Sequence, residues 1–108
     1  MSGFYSLAQN DHGQFFFKLH AANGETILRS ELYESKDAAV RGITSVQQNS
    51  PLEVRFAREE ATDGRHYFNL KAGNHQVIGT SQMYASAQAR DGGIASVMQH
   101  GPTTAGVP

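Results

Sequence analysis

The alternation of hydrophobic and polar residues is clearest between Gln14 and Ala22. Apolar residues occupy the odd positions of this stretch, and Lys18 and His20 lie between them. A period of two predicts a β-strand with one buried face and one open face. The dipeptide Asn23-Gly24 follows and predicts a hairpin with a type I′ turn, whose two central residues both need φ > 0. Glu25–Ser30 is then the returning strand.

A helix is predicted after this hairpin. Ser35 is a typical N-cap, because its hydroxyl can accept a free N–H of the first turn, and Asp37 is favourable near the positive end of the helix dipole. Ser50-Pro51 ends the helix, since the residue before a proline avoids the α region. We therefore expect a helix over Lys36–Gln48, and the β-rich run Phe4–Ala8 predicts one further strand before the hairpin.

The chain contains this pattern twice. Shifting the sequence by 51 residues aligns Gly13–Pro51 with Gly64–Pro102 without a gap and matches sixteen positions, where ordinary residue usage predicts about 2 or 3. A fixed period of this size indicates one supersecondary unit used twice. The second copy predicts strands at Val54–Glu59, Arg65–Gly73 and Gln76–Thr80, an N-cap at Ser86 and a helix at Ala87–Gln99. His75 replaces the turn glycine, Gly24. A histidine can adopt the left-handed conformation that this position needs, but with more strain than a glycine.

These elements predict an α+β fold of two tandem β-β-β-α repeats. A pseudo-two-fold axis is expected to relate them, because equivalent faces are buried together most simply by symmetry. The antiparallel sheet would carry both helices on one face. We expect a single domain over 1–108, with repeats at about 3–51 and 54–102. The tail 103–108 is rich in Gly, Pro and Thr, has almost nothing to bury, and is expected to be flexible.

The positions that match between the copies predict which side of each element is buried. In the long strand the identities Phe17/Phe68 and Leu19/Leu70 are spaced by two and so share one face. The helices share an apolar ridge, expected on the sheet, and a strip of small residues that we expect to lie against another backbone, because a glycine within a helix costs about 1 kcal/mol. The ridge is Ile43 and Val46 with Ile94 and Val97; the strip is Ala38, Gly42 and Ser45 with Ala89, Gly93 and Ser96.

Composition excludes several classes of function. A net charge of −1 argues against a broad electrostatic grip on nucleic acid or anionic membranes. The chain has no cysteine, which excludes disulfides, thiolate zinc sites and thiol catalysis. No basic-then-apolar leader and no apolar run of about 18 residues is present. We expect a cytoplasmic protein with no membrane partner and no cofactor.

The segment from Asn23 to Val46 resembles the YegP-like family of small bacterial proteins. The shared features are the Asn-Gly turn, the strand ending Ser30-Glu31, Tyr-x-Ser-Lys at 33–36, and Gly-Ile-x-Ser-Val at 42–46. The resemblance covers about residues 3–102 and implies a tandem-repeat α+β domain of undetermined function. The second copy departs from the pattern at Gln82, Ala87 and His75, so any function that needs the charged pair Glu31 and Lys36 would belong to the first copy. Glu31 and Lys36 are candidate binding residues, because exposed loop residues near the ends of elements often contact ligands; the structural alternative is a solvated ion pair.

Catalytic and metal sites are weakly supported by the sequence. Five histidines occur at 12, 20, 66, 75 and 100, without a spacing that places two on one face, so surface histidines are the better interpretation than a metal site. Ser30 recurs as Ser81, but a nucleophile needs a base and an oxyanion donor that neither copy offers. The structural alternative is a strand-end hydroxyl bonded to the backbone. A shallow enzyme site near Ser30, Glu31 and Lys36 is the least favoured hypothesis.

The open face of the sheet is the most suggestive surface. Its positions differ between the copies and combine aromatic with basic residues, a pattern that some domains use to stack single-stranded bases. Two exposed aromatics could equally anchor a protein partner or a homodimer. We expect a non-catalytic interaction module, with weak single-strand nucleic-acid binding as the alternative. The candidate residues on this face are Phe16, Lys18, His20, Tyr67 and Lys71.

Overall fold

A computed structural model describes residues 3–108 and contains the two predicted β-β-β-α units. The first unit consists of β1 (Phe4–Gln9), β2 (Phe15–His20), β3 (Thr26–Ser30) and α1 (Lys36–Asn49). A short 3-10 helix (Glu53–Arg55) leads into the second unit, which consists of β4 (Phe56–Glu60), β5 (His66–Lys71), β6 (Val77–Thr80) and α2 (Ala87–His100). Ser35 and Ser86 cap the helices as predicted, each hydroxyl accepting an N–H three residues on, at 3.1 Å.

All six strands form one antiparallel sheet in the order β1-β2-β3-β6-β5-β4. Counted from either edge, the first, second and third strands of a repeat follow in turn. The two repeats therefore meet through their third strands, β3 and β6. At this junction Arg29 pairs with Thr80, which is its own equivalent in the second repeat. The predicted pseudo-two-fold axis therefore passes through the Arg29–Thr80 pair, perpendicular to the sheet.

The core lies between the sheet and the two helices. The strand positions that match between the repeats are buried as expected, with Phe17, Leu19, Phe68 and Leu70 all at 1% exposure or less. The helix ridges Ile43/Val46 and Ile94/Val97 pack onto them. Both helices contact strands of both repeats, so the halves share one core. The opposite face of the sheet has no described helix over it.

The hairpin turns differ from the predicted type I′ geometry. Gly24 has a φ of 87°, but Asn23 does not have a positive φ, and the N–H of Gly24 donates to the carbonyl of Ala21 at 2.9 Å. The loop is therefore one residue longer than a two-residue turn and needs only its last residue in the left-handed region. His75 occupies that position in the second repeat with a φ of 72°.

The helix glycines pack against tyrosine rings, so the expectation of a neighbouring backbone is wrong. A Cβ at Gly42 would overlap the Tyr33 hydroxyl and lie 2.7 Å from its Cζ. A Cβ at Gly93 would meet Tyr84 in the same way, again 2.7 Å from Cζ. Tyr33 and Tyr84 each come shortly after the third strand of their repeat, and their rings reach the helix. Only a glycine at the contact point leaves room for the ring.

The C-terminal tail is docked, so the expectation that it has almost nothing to bury is wrong. The Ala105 carbonyl accepts the N–H of Tyr5 at 2.9 Å, and Gln47 Nε2 donates to the Thr103 carbonyl at 2.8 Å. Val107 packs against the hydrophobic core. The tail covers the outer edge of β1, where a backbone N–H would otherwise lack a strand partner.

Candidate binding face of the sheet

The candidate site is the sheet face opposite the helices, here called the outer face. Strand pairing places one row of residues straight across its centre, because Lys18 is opposite Arg29, Arg29 opposite Thr80, and Thr80 opposite Asn69. Alternation along the strands puts the other candidates on the same side. The outer face includes Phe4, Phe16, Lys18, His20, Thr26, Arg29, Glu59, Tyr67, Asn69, Lys71 and Thr80.

Two cations lie side by side at the centre of the outer face. Lys18 and Arg29 are direct neighbours on β2 and β3. Both approach the ring of Phe16, the Arg29 guanidinium carbon at 4.9 Å from its centroid and Lys18 Nζ at 5.9 Å. These are cation–π distances, and they are the contacts that hold the two charges together. Within residues 3–108 the ion pairs involve other cations, namely Arg58, Arg65 and Arg90.

A groove of about 320 Å³ opens next to the two cations and follows the junction of the repeats. It is here called the central groove. One rim is tied across the junction, where Gln82 Nε2 donates to Glu25 Oε1 at 2.9 Å. The groove therefore offers cationic donors next to an aromatic ring. Its lining residues are Lys18, Thr26, Leu28, Arg29, Thr80, Ser81 and Gln82.

His20 belongs to the outer face but its ring nitrogens already have partners. Nε2 lies 2.8 Å from Ser6 Oγ, and Nδ1 lies 3.3 Å from Thr26 Oγ1. The ring of Phe4 stacks on the imidazole with centroids 4.7 Å apart. These contacts fix the imidazole between β1 and β3, so His20 contributes a ring to the outer face and no free donor.

The second repeat gives the outer face a different character. Tyr67 occupies the position equivalent to Phe16, but Glu59 is opposite it on β4. Asn69 replaces Lys18, and its side-chain oxygen accepts a hydrogen bond from Thr80 Oγ1 at 2.8 Å. Lys71 is the cation that this half contributes. The outer face is therefore most basic over β2 and β3 and mixed over β4 and β5.

The hypothetical enzyme site is not assembled as a nucleophile. Ser30 Oγ accepts the N–H of Phe17 at 2.8 Å and donates to the Glu31 carbonyl at 2.7 Å, and Ser81 makes the same two bonds at 3.0 and 2.7 Å. The hydroxyl proton thus goes to the backbone, as the structural alternative predicts. Glu31 and Lys36 are exposed, and no ion pair joins them among the described residues.

Glu31 instead affects the pKa of the neighbouring Tyr33 hydroxyl. The pKa of Tyr33 is raised, first because the ring is half-buried and second because the Glu31 carboxylate disfavours a second negative charge nearby. The ring also stacks on Phe17, with centroids 6.1 Å apart. Tyr33 is therefore a packing residue whose hydroxyl lies over Gly42.

The histidines do not converge. His100 is buried and its Nδ1 accepts the N–H of Gly3 at 2.9 Å, while His12 and His75 lie in turns. Across residues 3–108, no group of three or more His, Asp or Glu side chains is arranged to hold a metal ion. Neither helix in that range is long and apolar enough to cross a membrane.

Arg29 and Thr80 were not among the predicted site residues, although both line the central groove. The signal that could have found them is the repeat itself. If β3 of one copy pairs with its equivalent across an axis, the outward residue of β3 must lie at the centre of the outer face next to its own equivalent. That residue is Arg29.

Comparison with known proteins agrees with this architecture. A domain of unknown function, DUF1508, matches the chain twice, at residues 10–56 and 61–107, so that each repeat carries one match at the same offset as the sequence repeat. A UPF0339 protein of Shewanella oneidensis is 60% identical over 96% of this chain and 94% of its own length. The UPF0339 protein YegP of Escherichia coli K12 is 56% identical over 94% of this chain and 92% of its own length. The chain belongs to this YegP-like family.

Two solved structures of the family have the same fold. The solution NMR structure of a Shewanella oneidensis UPF0339 protein superposes with a TM-score of 0.91 at 59% identity, covering 97% of this chain and 89% of the other. The solution NMR structure of yegP from E. coli, described as a protein of unknown function, gives a TM-score of 0.92 at 54% identity, covering 97% and 90%. The second family match ends at residue 107, so it includes most of the docked tail. None of these descriptions states an activity.

Proposed function

We propose that this protein is a non-catalytic binding module, acting in the cytoplasm, whose central groove binds a phosphate or carboxylate group of its partner. The observation that carries the proposal is the neighbouring pair Lys18 and Arg29. Like charges directly opposite each other on adjacent strands destabilise a sheet. Such a pair is favourable when an anion is bound between the two charges, where each hydrogen bond is charge-assisted.

The groove chemistry supports an anionic partner. The donors available at the groove are the charged groups of Lys18 and Arg29, and Arg29 can contact two oxygens of one phosphate or carboxylate through its planar guanidinium. The hydroxyl of Ser30 is bonded to the backbone, which supports binding without catalysis. No cofactor forms part of the proposal.

The second repeat provides matched variants for the test. Lys18→Asn and Arg29→Thr each introduce the residue that already stands at the equivalent position, so the backbone is expected to accept both. We would titrate the isotope-labelled protein with inorganic pyrophosphate and follow amide shifts by NMR. Shifts confined to the central groove, lost in the double variant and kept in Lys36→Ala, are expected. Shifts spread over all lysines and arginines alike would contradict the proposal.

A second copy of the chain is an alternative partner for the same face. Glu59 lies beside Tyr67 at the other end of the outer face from the two cations, so two stacked copies could pair acid with base. Sedimentation velocity tests this alternative. A monomer over the whole concentration range would exclude it, and a dimer that Arg29→Thr weakens would favour it over a separate anionic partner.

A further inference from the structure

The two equivalent aromatics of the outer face lie on opposite sides of the central groove. Phe16 precedes Lys18 by two residues on β2, and Tyr67 precedes Asn69 by two residues on β5. Since β2 and β5 run antiparallel on either side of the pseudo-two-fold axis, the two rings are displaced in opposite directions from the central row. Three strand spacings of about 4.8 Å and four residue rises of about 3.3 Å put them about 20 Å apart on a diagonal.

The diagonal between these rings passes over the cations. Arg29 lies at the axis, and Lys18 lies between it and the Phe16 end. A ligand that follows this line meets a ring, two positive charges and a second ring. Both rings are half-buried, no described helix covers them, and the Phe16 ring has the Arg29 guanidinium and Lys18 Nζ over it. The order of ring, anion site and ring fits a flexible polymer that carries planar groups on an anionic backbone.

From this arrangement we propose that the partner of the outer face is a single-stranded nucleic acid of about four to six nucleotides, lying diagonally across the sheet. The length follows from the span of about 20 Å, which takes about six nucleotides at the stacked rise of about 3.4 Å and fewer when the bases are splayed apart. One base stacks on Tyr67, and another replaces the Arg29 guanidinium over Phe16 as Arg29 and Lys18 turn to the phosphates between the two rings. This inference rests on the proposed function, because it assigns the anion of the central groove to a phosphodiester.

The charge distribution predicts modest and polarised binding. Two phosphate contacts give a slope of log affinity against log salt of about −1.4 for a single strand. Glu59 beside Tyr67 keeps phosphates away from that end, so Tyr67 contributes mainly through stacking. The net charge of −1 adds no attraction over the rest of the surface, which confines the ligand to this diagonal.

The test is fluorescence anisotropy with labelled oligothymidylates from the dinucleotide to the octanucleotide, repeated with oligouridylates. Affinity is expected to rise up to about the hexanucleotide and then level off. Phe16→Leu and Tyr67→Leu, which keep an apolar side chain but remove the ring, should each weaken the hexanucleotide about fivefold or more. Met83→Ala removes an exposed apolar side chain that is not among the outer-face residues and should change nothing.

Arg29→Thr should reduce the salt slope by about 0.7, which a loss of folding alone would not do. NMR spectra of each variant establish that it is folded before binding is measured. Equal affinity for the dinucleotide and the hexanucleotide, or no effect of Tyr67→Leu, would overturn the diagonal path.

The outcomes also separate this inference from the proposed function. Pyrophosphate binding in the central groove without oligonucleotide binding would leave the anion site standing and overturn the nucleic-acid assignment. Equal affinity for an oligoglutamate peptide and the hexanucleotide would do the same and indicate an acidic protein. Loss of both pyrophosphate and oligonucleotide binding would overturn both.

Discussion

Two adjacent glycines of α2 provide a sharp test of how the helices pack on the sheet. A Cβ at Gly93 would overlap the hydroxyl of Tyr84 and lie 2.7 Å from Cζ and 3.1 Å from Cε2, whereas a Cβ at Gly92 would have nothing within 4 Å. The Tyr84 ring is backed by Phe68, with centroids 6.4 Å apart, and has little room to retreat. Gly93→Ala should therefore overpack the core, and Gly92→Ala should not.

The two substitutions make the same change to helix propensity, so their difference isolates the clash. Replacing a helical glycine by alanine gains about 1 kcal/mol, which is the whole effect expected for Gly92→Ala. Overpacking a core costs about 1–3 kcal/mol, so Gly93→Ala should be less stable than Gly92→Ala by that amount. For a domain of this size the midpoint temperatures would then differ by at least about 4 °C.

Urea denaturation followed by circular dichroism measures the difference, with equal m-values as the condition for comparing the variants. A Tyr84→Leu background completes a double-mutant cycle, in which the penalty of Gly93→Ala should shrink because the ring is gone. Equal stability of the two alanine variants would refute the packing explanation. The same holds for a penalty that persists at full size without the ring.

Three further predictions concern the backbone and the burial of phenols. His75→Gly should stabilise the protein by about 0.5–1 kcal/mol in urea denaturation, because His75 has the positive φ that Gly24 adopts in the first repeat without strain; a less stable variant would contradict this. Native-state hydrogen exchange should show lower protection in α2 than in α1, because Gly92 and its charged neighbours weaken α2; equal protection would mean that packing overrides propensity. Burial raises the pKa of both Tyr5 and Tyr33 above the usual 10.0, so the stability that the neutral phenols contribute is complete below that pH and is lost as pH rises through the raised values; thermal melts at alkaline pH should show a smaller loss in Tyr33→Phe than in the unmodified protein.

The sequence alone was sufficient for the elements and for the side of each that is buried. Two copies of one unit act as a small alignment, because the alternation of matching and differing positions marks Phe17 and Leu19 as inward and Lys18 as outward. The N-caps Ser35 and Ser86 fixed the helix starts in the same way, because each side chain has one local backbone partner. These features depend on contacts close in sequence, which a periodic pattern encodes directly.

The features that sequence reasoning missed depend on pairing between distant segments. The central groove requires β3 to pair with β6, and no local pattern states which edges of the two units meet. The repeat does contain a signal for the docked tail: Val107 follows Phe56 by one repeat length, Phe56 follows Tyr5 by the same length, and all three contribute to the core. The run Ala105-Gly106-Val107 has little β-propensity of its own, so its role is visible only through the repeat.

The contacts near the pseudo-two-fold axis require the two copies to differ in sequence. On the axis a residue meets its own equivalent, and in a symmetric dimer of one repeat both would be the same residue. Here Leu28 fills the space over Gly79, where a Cβ would lie 2.7 Å from the leucine, and Ser50 occupies the space that a Cβ on Gly101 would need. Each pair works because one member is glycine, and Gly79→Leu would force two leucines into one space.

Equivalent residues of the two repeats also differ on the outer face. Arg29 meets Thr80 on the axis, so the centre of the outer face carries one guanidinium instead of two that repel each other. Lys18 likewise stands opposite Asn69 across the groove. The two cations then lie on one side of the axis, and on the other side Thr80 and Asn69 hydrogen-bond to each other, an arrangement that a symmetric pair of repeats could not provide. The asymmetry at the axis and the proposed anion site therefore both depend on sequence differences that two repeats of one chain can carry and two identical subunits cannot.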